Sequence, residues 1–140
     1  MGTSKASAHW EGSLKDGRGS MKPAHGGEVA FTAGTRFEGQ AGSNPEELIG
    51  AALAGCFSMA LAGALGRAGM SPQSVNTDAA VQLEREPAGF RIVRIELTTT
   101  AKVPGADTTT FQKIAEETKK GCPVSKALTG TEITLKASLT

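Results

Sequence analysis

The chain has 140 residues, a length that fits one hydrophobic core and leaves no room for two domains. Its 15 basic residues against 14 acidic ones give a formal charge of +1, with no basic run longer than Lys119-Lys120, which argues against a nucleic-acid or anionic-membrane partner. Hydrophobic residues make up 39% of the chain and aromatic ones only 4%, so the core must come from Ala, Val, Ile and Leu, and such small side chains bury too little surface for a comfortable monomer.

The first ten residues contain no apolar stretch of the kind a secretory signal needs, and a cytoplasmic address is the expectation. In a reducing compartment the two cysteines, Cys56 and Cys122, point to redox or catalytic use rather than to a permanent bridge. Short polar strands punctuated by Gly12, Asp16-Gly17 and Gly19 are expected from Ala6 to about Met21, with a further strand over Glu28 to Thr32. Residues 33–43, including Thr35-Arg-Phe-Glu-Gly, read as an irregular loop. A central helix follows over 44–69, with Asn44 as N-cap, Pro45 at the first helical position, Glu47 completing a capping box and Gly69 as the stop. Positions 48 to 66 carry no charge, which raises the question of a membrane span. Four glycines and many alanines keep the segment's hydrophobicity low, so the expectation is a helix buried on most sides.

After Pro72 the periodicity changes to two. Strands are expected over 74–103, with a turn at Glu86-Pro-Ala-Gly and with Val93, Ile95, Leu97, Thr99, Ala101 and Val103 on one face. Helices follow over 107–129: Asp107 caps the first, whose Phe111, Ile114, Ala115 and Thr118 share a face, and a short one starts at Pro123. A last strand over 131–139 alternates Ile133, Leu135, Ala137 and Leu139. This order of strands and helices is α+β.

Cys56 lies about twelve residues past its N-cap, beyond the reach of the helix dipole, and in an apolar helix its thiolate is disfavoured. It is either an inert buried thiol or a reactive one that needs a cation from elsewhere; Arg36 and Arg67 are the candidates, with Arg36 freer to fold back. Cys122, at a helix start, is the more reactive on local grounds, or else simply an N-cap. His9 and His25 lack Cys, Asp or Glu at metal-ligand spacing and read as solvated, so no metal is expected; no phosphate-binding glycine loop occurs either, and no cofactor is expected.

Taken together, Ala8-His-Trp-Glu-Gly, Thr35-Arg-Phe-Glu-Gly, Asn44-Pro-Glu-Glu-Leu-Ile-Gly-Ala-Ala through Ala54-Gly-Cys-Phe-Ser-Met-Ala-Leu, and Gly121-Cys-Pro-Val-Ser-Lys-Ala-Leu resemble the OsmC/Ohr family of thiol-dependent peroxidases, in its OsmC branch. The resemblance covers nearly the whole chain. It implies antiparallel sheets wrapped around a long central buried helix in an intertwined homodimer. It also reverses the local ranking of the thiols: Cys56 becomes the peroxidatic thiolate, Cys122 the resolving thiol, Arg36 the cation beside the sulfur and Glu46 the carboxylate that orients it. The implied activity is reduction of organic hydroperoxides and hydrogen peroxide through a Cys56 sulfenic acid and a Cys56–Cys122 disulfide, in oxidative or osmotic stress defence, with an external dithiol of lipoyl or other type as reductant. Glu46 and Cys56 are ten residues apart, about 15 Å of helix rise, so either Arg36 bridges a bend or Glu46 comes from a partner subunit. Two other readings compete: a non-enzymatic dimer that binds hydrophobic ligands, and a protein-disulfide oxidoreductase, which the absence of a Cys-x-x-Cys motif disfavours.

Overall fold

Gly19 explains the first sheet. In the computed structural model, which describes residues 2–140, strands β1 (Ala6–Glu11), β2 (Arg18–Pro23) and β3 (Val29–Phe31) form an antiparallel sheet in sequence order. Gly19 of β2 stands opposite Trp10 on one side and Phe31 on the other, and a Cβ there would collide with the Trp10 ring and press on that of Phe31. Its missing side chain lets Trp10 and Phe31 meet across the middle strand, ring centroids 5.4 Å apart. The β1–β2 connection is longer than a two-residue Asp-Gly turn. It spans residues 12–17, with Gly12 at φ 86° and the Gly17 N–H donating to Ser13 O at 2.8 Å.

Where an irregular stretch is expected, a short helix α1 (Ala33–Phe37) forms. Thr32 and Thr35 cap it reciprocally: Thr35 N donates to Thr32 Oγ1 at 3.1 Å and Thr32 N to Thr35 Oγ1 at 3.0 Å. A threonine in place of the usual Glu or Gln at the third position hides this box from a pattern reading. Helix α2 (Pro45–Arg67) starts as expected, with Glu47 N donating to Asn44 Oδ1 at 2.9 Å. Asn44 also reaches back through Nδ2 to Thr35 O at 3.2 Å, which ties the start of α2 to α1. The chain forms two compact units, one ending at Leu48 and the other running from Ile49 to Thr140.

In the second unit, Leu53, Phe57, Leu61 and Leu65 of α2 recur every four residues and are fully buried. Gly50 brings the helix close to strand β4 (Ser74–Glu86), since a Cβ there would press on Val81. The opposite face, with Ala51, Ala52, Gly55, Met59 and Gly63, is exposed, Met59 to 77%. The helix is therefore buried along one face rather than on most sides within a single chain. By length and composition α2 alone among the described helices would reach across a membrane.

Strand β4 pairs antiparallel with β5 (Gly89–Lys102), and Ile95, Leu97, Thr99, Ala101 and Val103 point into the core as expected. Val93 does not follow them: a register shift at Gln82/Leu83 leaves it as the extra residue of a bulge, and Ile92 packs on the core in its place. Strand β6 (Glu132–Leu139) runs parallel to β5, which corrects the expectation of wholly antiparallel sheets. The reason is the connection. Helices α3 (Thr108–Gly121) and α4 (Pro123–Ala127) carry the chain back to the start of β5 before β6 begins, and a crossover of that length is what parallel pairing needs. Asp107 caps α3 through Thr110 N at 2.9 Å, and Phe111 and Ala115 join the core.

Candidate active site

Proline-123 creates the local geometry around the second thiol. A residue before proline is pushed to extended backbone, and Cys122 has φ −68° and ψ 143°. It therefore ends one helix and begins the next: its N–H donates to Thr118 O at 3.0 Å, and its side chain caps α4. The Cys122 sulfur receives the Ser125 N–H at 3.4 Å and lies 3.0 Å from Ser125 Oγ. Both residues are buried. Cys56, on α2 beside the buried Phe57, is only partly buried, so it is the more open of the two thiols.

The thiols, 66 positions apart in the chain, lie near enough in the fold for each to shift the other's titration, and both are free. Their surroundings divide them. Burial pushes the Cys56 thiol up; a Val124 backbone N–H pulls it back, and the Cys122 sulfur raises it further by hydrogen bond and charge. Burial also works to raise Cys122, but the Ser125 hydroxyl and N–H, the Cys56 thiol and the Val124 N–H outweigh it and bring Cys122 below the ordinary thiol range. Within one chain these surroundings favour the thiolate of Cys122 over that of Cys56.

In the first unit Arg36, in the last turn of α1, grips Glu46, in the first turn of α2. Nη2 meets Oε1 at 2.7 Å, and Nε reaches Oε1 at 3.1 Å and Oε2 at 3.2 Å. The Glu46 side chain is 8% exposed and that of Arg36 35%, so the fork satisfies a carboxylate that burial would otherwise leave unpaired. The Arg36 guanidinium also lies over the Phe37 ring, 5.2 Å from its centroid. Glu46 thus comes to Arg36 from the same chain, and a partner subunit is not needed to supply it. The four expected residues fall into two pairs, Arg36 with Glu46 and Cys56 with Cys122, each inside its own compact unit.

Arg67, the other candidate cation, stands in the last turn of α2 and lines a groove of about 500 Å³ together with Cys122, Glu117, Ile114 and Ala64. His9 pairs with Glu11 on the exposed face of β1. Among the described residues no cluster of His, Cys, Asp and Glu is placed to hold a metal ion. Ser125 and the Val124 N–H are the site groups that the sequence reading passed over. The signal for Ser125 was present: an N-cap side chain meets the N–H three residues on, which makes Cys-Pro-Val-Ser a capping pattern with sulfur as acceptor.

Two neighbouring thiols, one more open and one buried against hydrogen-bond donors, can carry a sulfenic acid and close it to a disulfide. The comparisons agree with that chemistry. The sequence pattern of the family described as OsmC-like protein matches residues 37–137. Peroxiredoxin OsmC of Escherichia coli (strain K12) is 49% identical over 137 residues, covering 96% of this chain and 95% of that protein. Among solved structures, the organic hydroperoxide resistance protein of Elizabethkingia anophelis superposes with a TM-score of 0.76 at 26% identity, covering 100% of this chain and 96% of that one. The organic hydroperoxide resistance protein OhrB of Bacillus subtilis gives 0.71 at 25% identity, covering 96% and 97%.

Proposed function

The chain belongs to the OsmC family, and from that premise we propose that Cys56 is the peroxidatic thiol, and Cys122 the resolving thiol, of a cysteine-based peroxidase acting on organic hydroperoxides in peroxide stress defence. The nearness of the two free thiols, each of which shifts the other's titration, carries this reading, because a sulfenic acid formed on one needs the other close by to become a disulfide. The more open thiol meets peroxide first, and the buried one waits for its product.

The cycle balances as follows. The Cys56 thiolate attacks the distal peroxide oxygen, the O–O bond breaks, and the alkoxide leaves with a proton as alcohol, or as water from hydrogen peroxide. The Cys122 thiolate then attacks the Cys56 sulfenic sulfur, forming the S–S bond and expelling hydroxide. A dithiol of lipoyl or similar type restores both thiols by exchange and leaves as its own disulfide.

Cys56 needs help, since its surroundings in one chain hold its thiol up. The Arg36 guanidinium, oriented by Glu46, is the group suited to stabilise the thiolate and the charge that develops on the peroxide oxygens. Arg36 and Glu46 belong to one compact unit and Cys56 to the other, and the family resemblance implies an intertwined homodimer; we take the working form to be a homodimer in which the Arg36–Glu46 pair of one subunit serves Cys56 of the other. The exposed apolar face of α2 around Met59 supports such an assembly. A cytoplasmic setting, which keeps thiols reduced, suits a cycle that starts from two thiols.

Stopped-flow oxidation of the reduced protein by cumene hydroperoxide tests the cycle. Cys56→Ser should abolish peroxide consumption, and Cys122→Ser should allow one oxidation, accumulate sulfenic acid and fail to turn over with dithiol. Equal consumption by wild type and Cys56→Ser would sink the assignment.

A further inference from the structure

Ser125 has a buried hydroxyl whose one hydrogen-bond partner among the described residues is the Cys122 sulfur, at 3.0 Å. A buried hydroxyl needs a partner, and a neutral thiol is a weak one, whereas a thiolate accepts fully. The same sulfur takes the Ser125 backbone N–H at 3.4 Å, so one residue grips it twice. We infer that Ser125 is a catalytic residue of the resolving half of the cycle, its hydroxyl donating to the Cys122 sulfur both when that sulfur attacks and when it departs. This rests on the peroxidase cycle proposed above and assigns that cycle a group it does not otherwise use.

The consequence is a direction for reduction. Closing the disulfide turns Cys122 into a neutral sulfur and takes from Ser125 its anionic acceptor; reduction returns it. The incoming dithiol thiolate attacks Cys56 Sγ, the S–S bond breaks, and the electron pair goes to Cys122, whose thiolate leaves onto the Ser125 hydroxyl. The second dithiol thiol then displaces Cys56 from the mixed disulfide, so that two electrons and two protons pass from dithiol to enzyme. A thiolate held by donors is the better leaving group, and stabilising the reduced form makes the disulfide the stronger oxidant. The direction of the Cys122 shift, set against burial first by the Ser125 hydroxyl, agrees. Other charged or titratable groups also face Cys122: Cys56 and Arg67 from α2, and Glu117 from α3; Lys126 follows Ser125 on α4. Arg67 and Glu117 are exposed, opposite in sign and screened by solvent, and changing Ser125 leaves them in place.

The test uses two readouts. In a Cys56→Ser background, thiolate absorbance at 240 nm reports Cys122 alone, and adding Ser125→Ala should move its titration to higher pH while Ser125→Thr restores it. In the chain with both cysteines, the equilibrium between the Cys56–Cys122 disulfide and dithiothreitol should shift about tenfold toward the disulfide in Ser125→Ala, the scale of one hydrogen bond to a charged group, or about 30 mV. Ser125→Gly also lacks the hydroxyl and should match Ser125→Ala, which guards against a variant that misfolds. An unmoved titration and an unmoved equilibrium, with the disulfide still forming on addition of cumene hydroperoxide, would overturn the role of Ser125 alone. Failure of wild type to form that disulfide would overturn the cycle beneath it.

Discussion

Cys56 has an apolar helix around it, and the other thiol beside it makes its charged form harder to reach. Only the thiolate attacks peroxide. With its pKa raised above the ordinary thiol value, Cys56 is mostly protonated at neutral pH unless a cation is brought to it. Arg36→Ala should therefore oxidise at least tenfold more slowly than wild type at pH 7, with a rate that climbs as pH rises toward the thiol's own range, a tenfold change being about 1.4 kcal/mol. Wild type should already be near its plateau. Arg36→Lys should fall between them, because an ammonium keeps the charge but loses the two-pronged hold on Glu46. Stopped-flow rates from pH 5 to 9 decide it, and superimposable profiles for wild type and Arg36→Ala would remove Arg36 from the chemistry.

Among the elements, α3 shows most directly how a cap becomes a pH dependence. Asp107 accepts from the Thr110 hydroxyl and N–H, which hold its carboxyl below the ordinary carboxylate value. A carboxyl lowered on folding contributes stability that is fully present above its unfolded pKa and is lost as pH falls through the folded one. The acid limb of the stability curve should therefore owe part of its slope to this residue. Asp107→Asn keeps an acceptor for the cap and should flatten that limb below about pH 4, where an unperturbed aspartate titrates, with little change at pH 7. Asp107→Ala should lower Tm at both pH values. Thermal unfolding at pH 3 and pH 7 measures both, and an Asn variant with the wild-type pH dependence would contradict the argument. The helix matters to the site because its end positions Cys122.

For the whole molecule, the exposed apolar face of α2 and the division of the two residue pairs between two compact units bear on one question, the number of chains in a working site. Met59→Glu places a charge on that face and should shift the protein toward monomer in sedimentation while lowering turnover. Mixing the slow Arg36→Ala with inactive Cys56→Ser at pH 7, after exchange of subunits, should recover about a quarter of wild-type activity, since random pairing makes half the dimers mixed and each mixed dimer has one intact site. No recovery, with exchange confirmed by mass, would mean that Arg36 serves Cys56 of its own chain.

Much of this protein was settled by its residues alone. The caps at Asn44 and Asp107, the α2 helix, the alternation through Ile95 to Val103 and the α+β order all follow from local chemistry, because a cap or a face of a helix needs only its near neighbours. The family resemblance that the motifs carry, rather than local chemistry, pointed to Cys56 as the peroxidatic thiol and to Arg36 and Glu46 beside it. Tertiary structure decided what depends on distant partners: the parallel return of β6, the bulge that exchanges Val93 for Ile92, and the burial of only one face of α2. It also decided the pairings. That Arg36 grips Glu46 of its own chain, and that Ser125 turns its hydroxyl to the Cys122 sulfur, are matters of side-chain distance in a buried setting, where a contact of 3 Å outweighs any local preference.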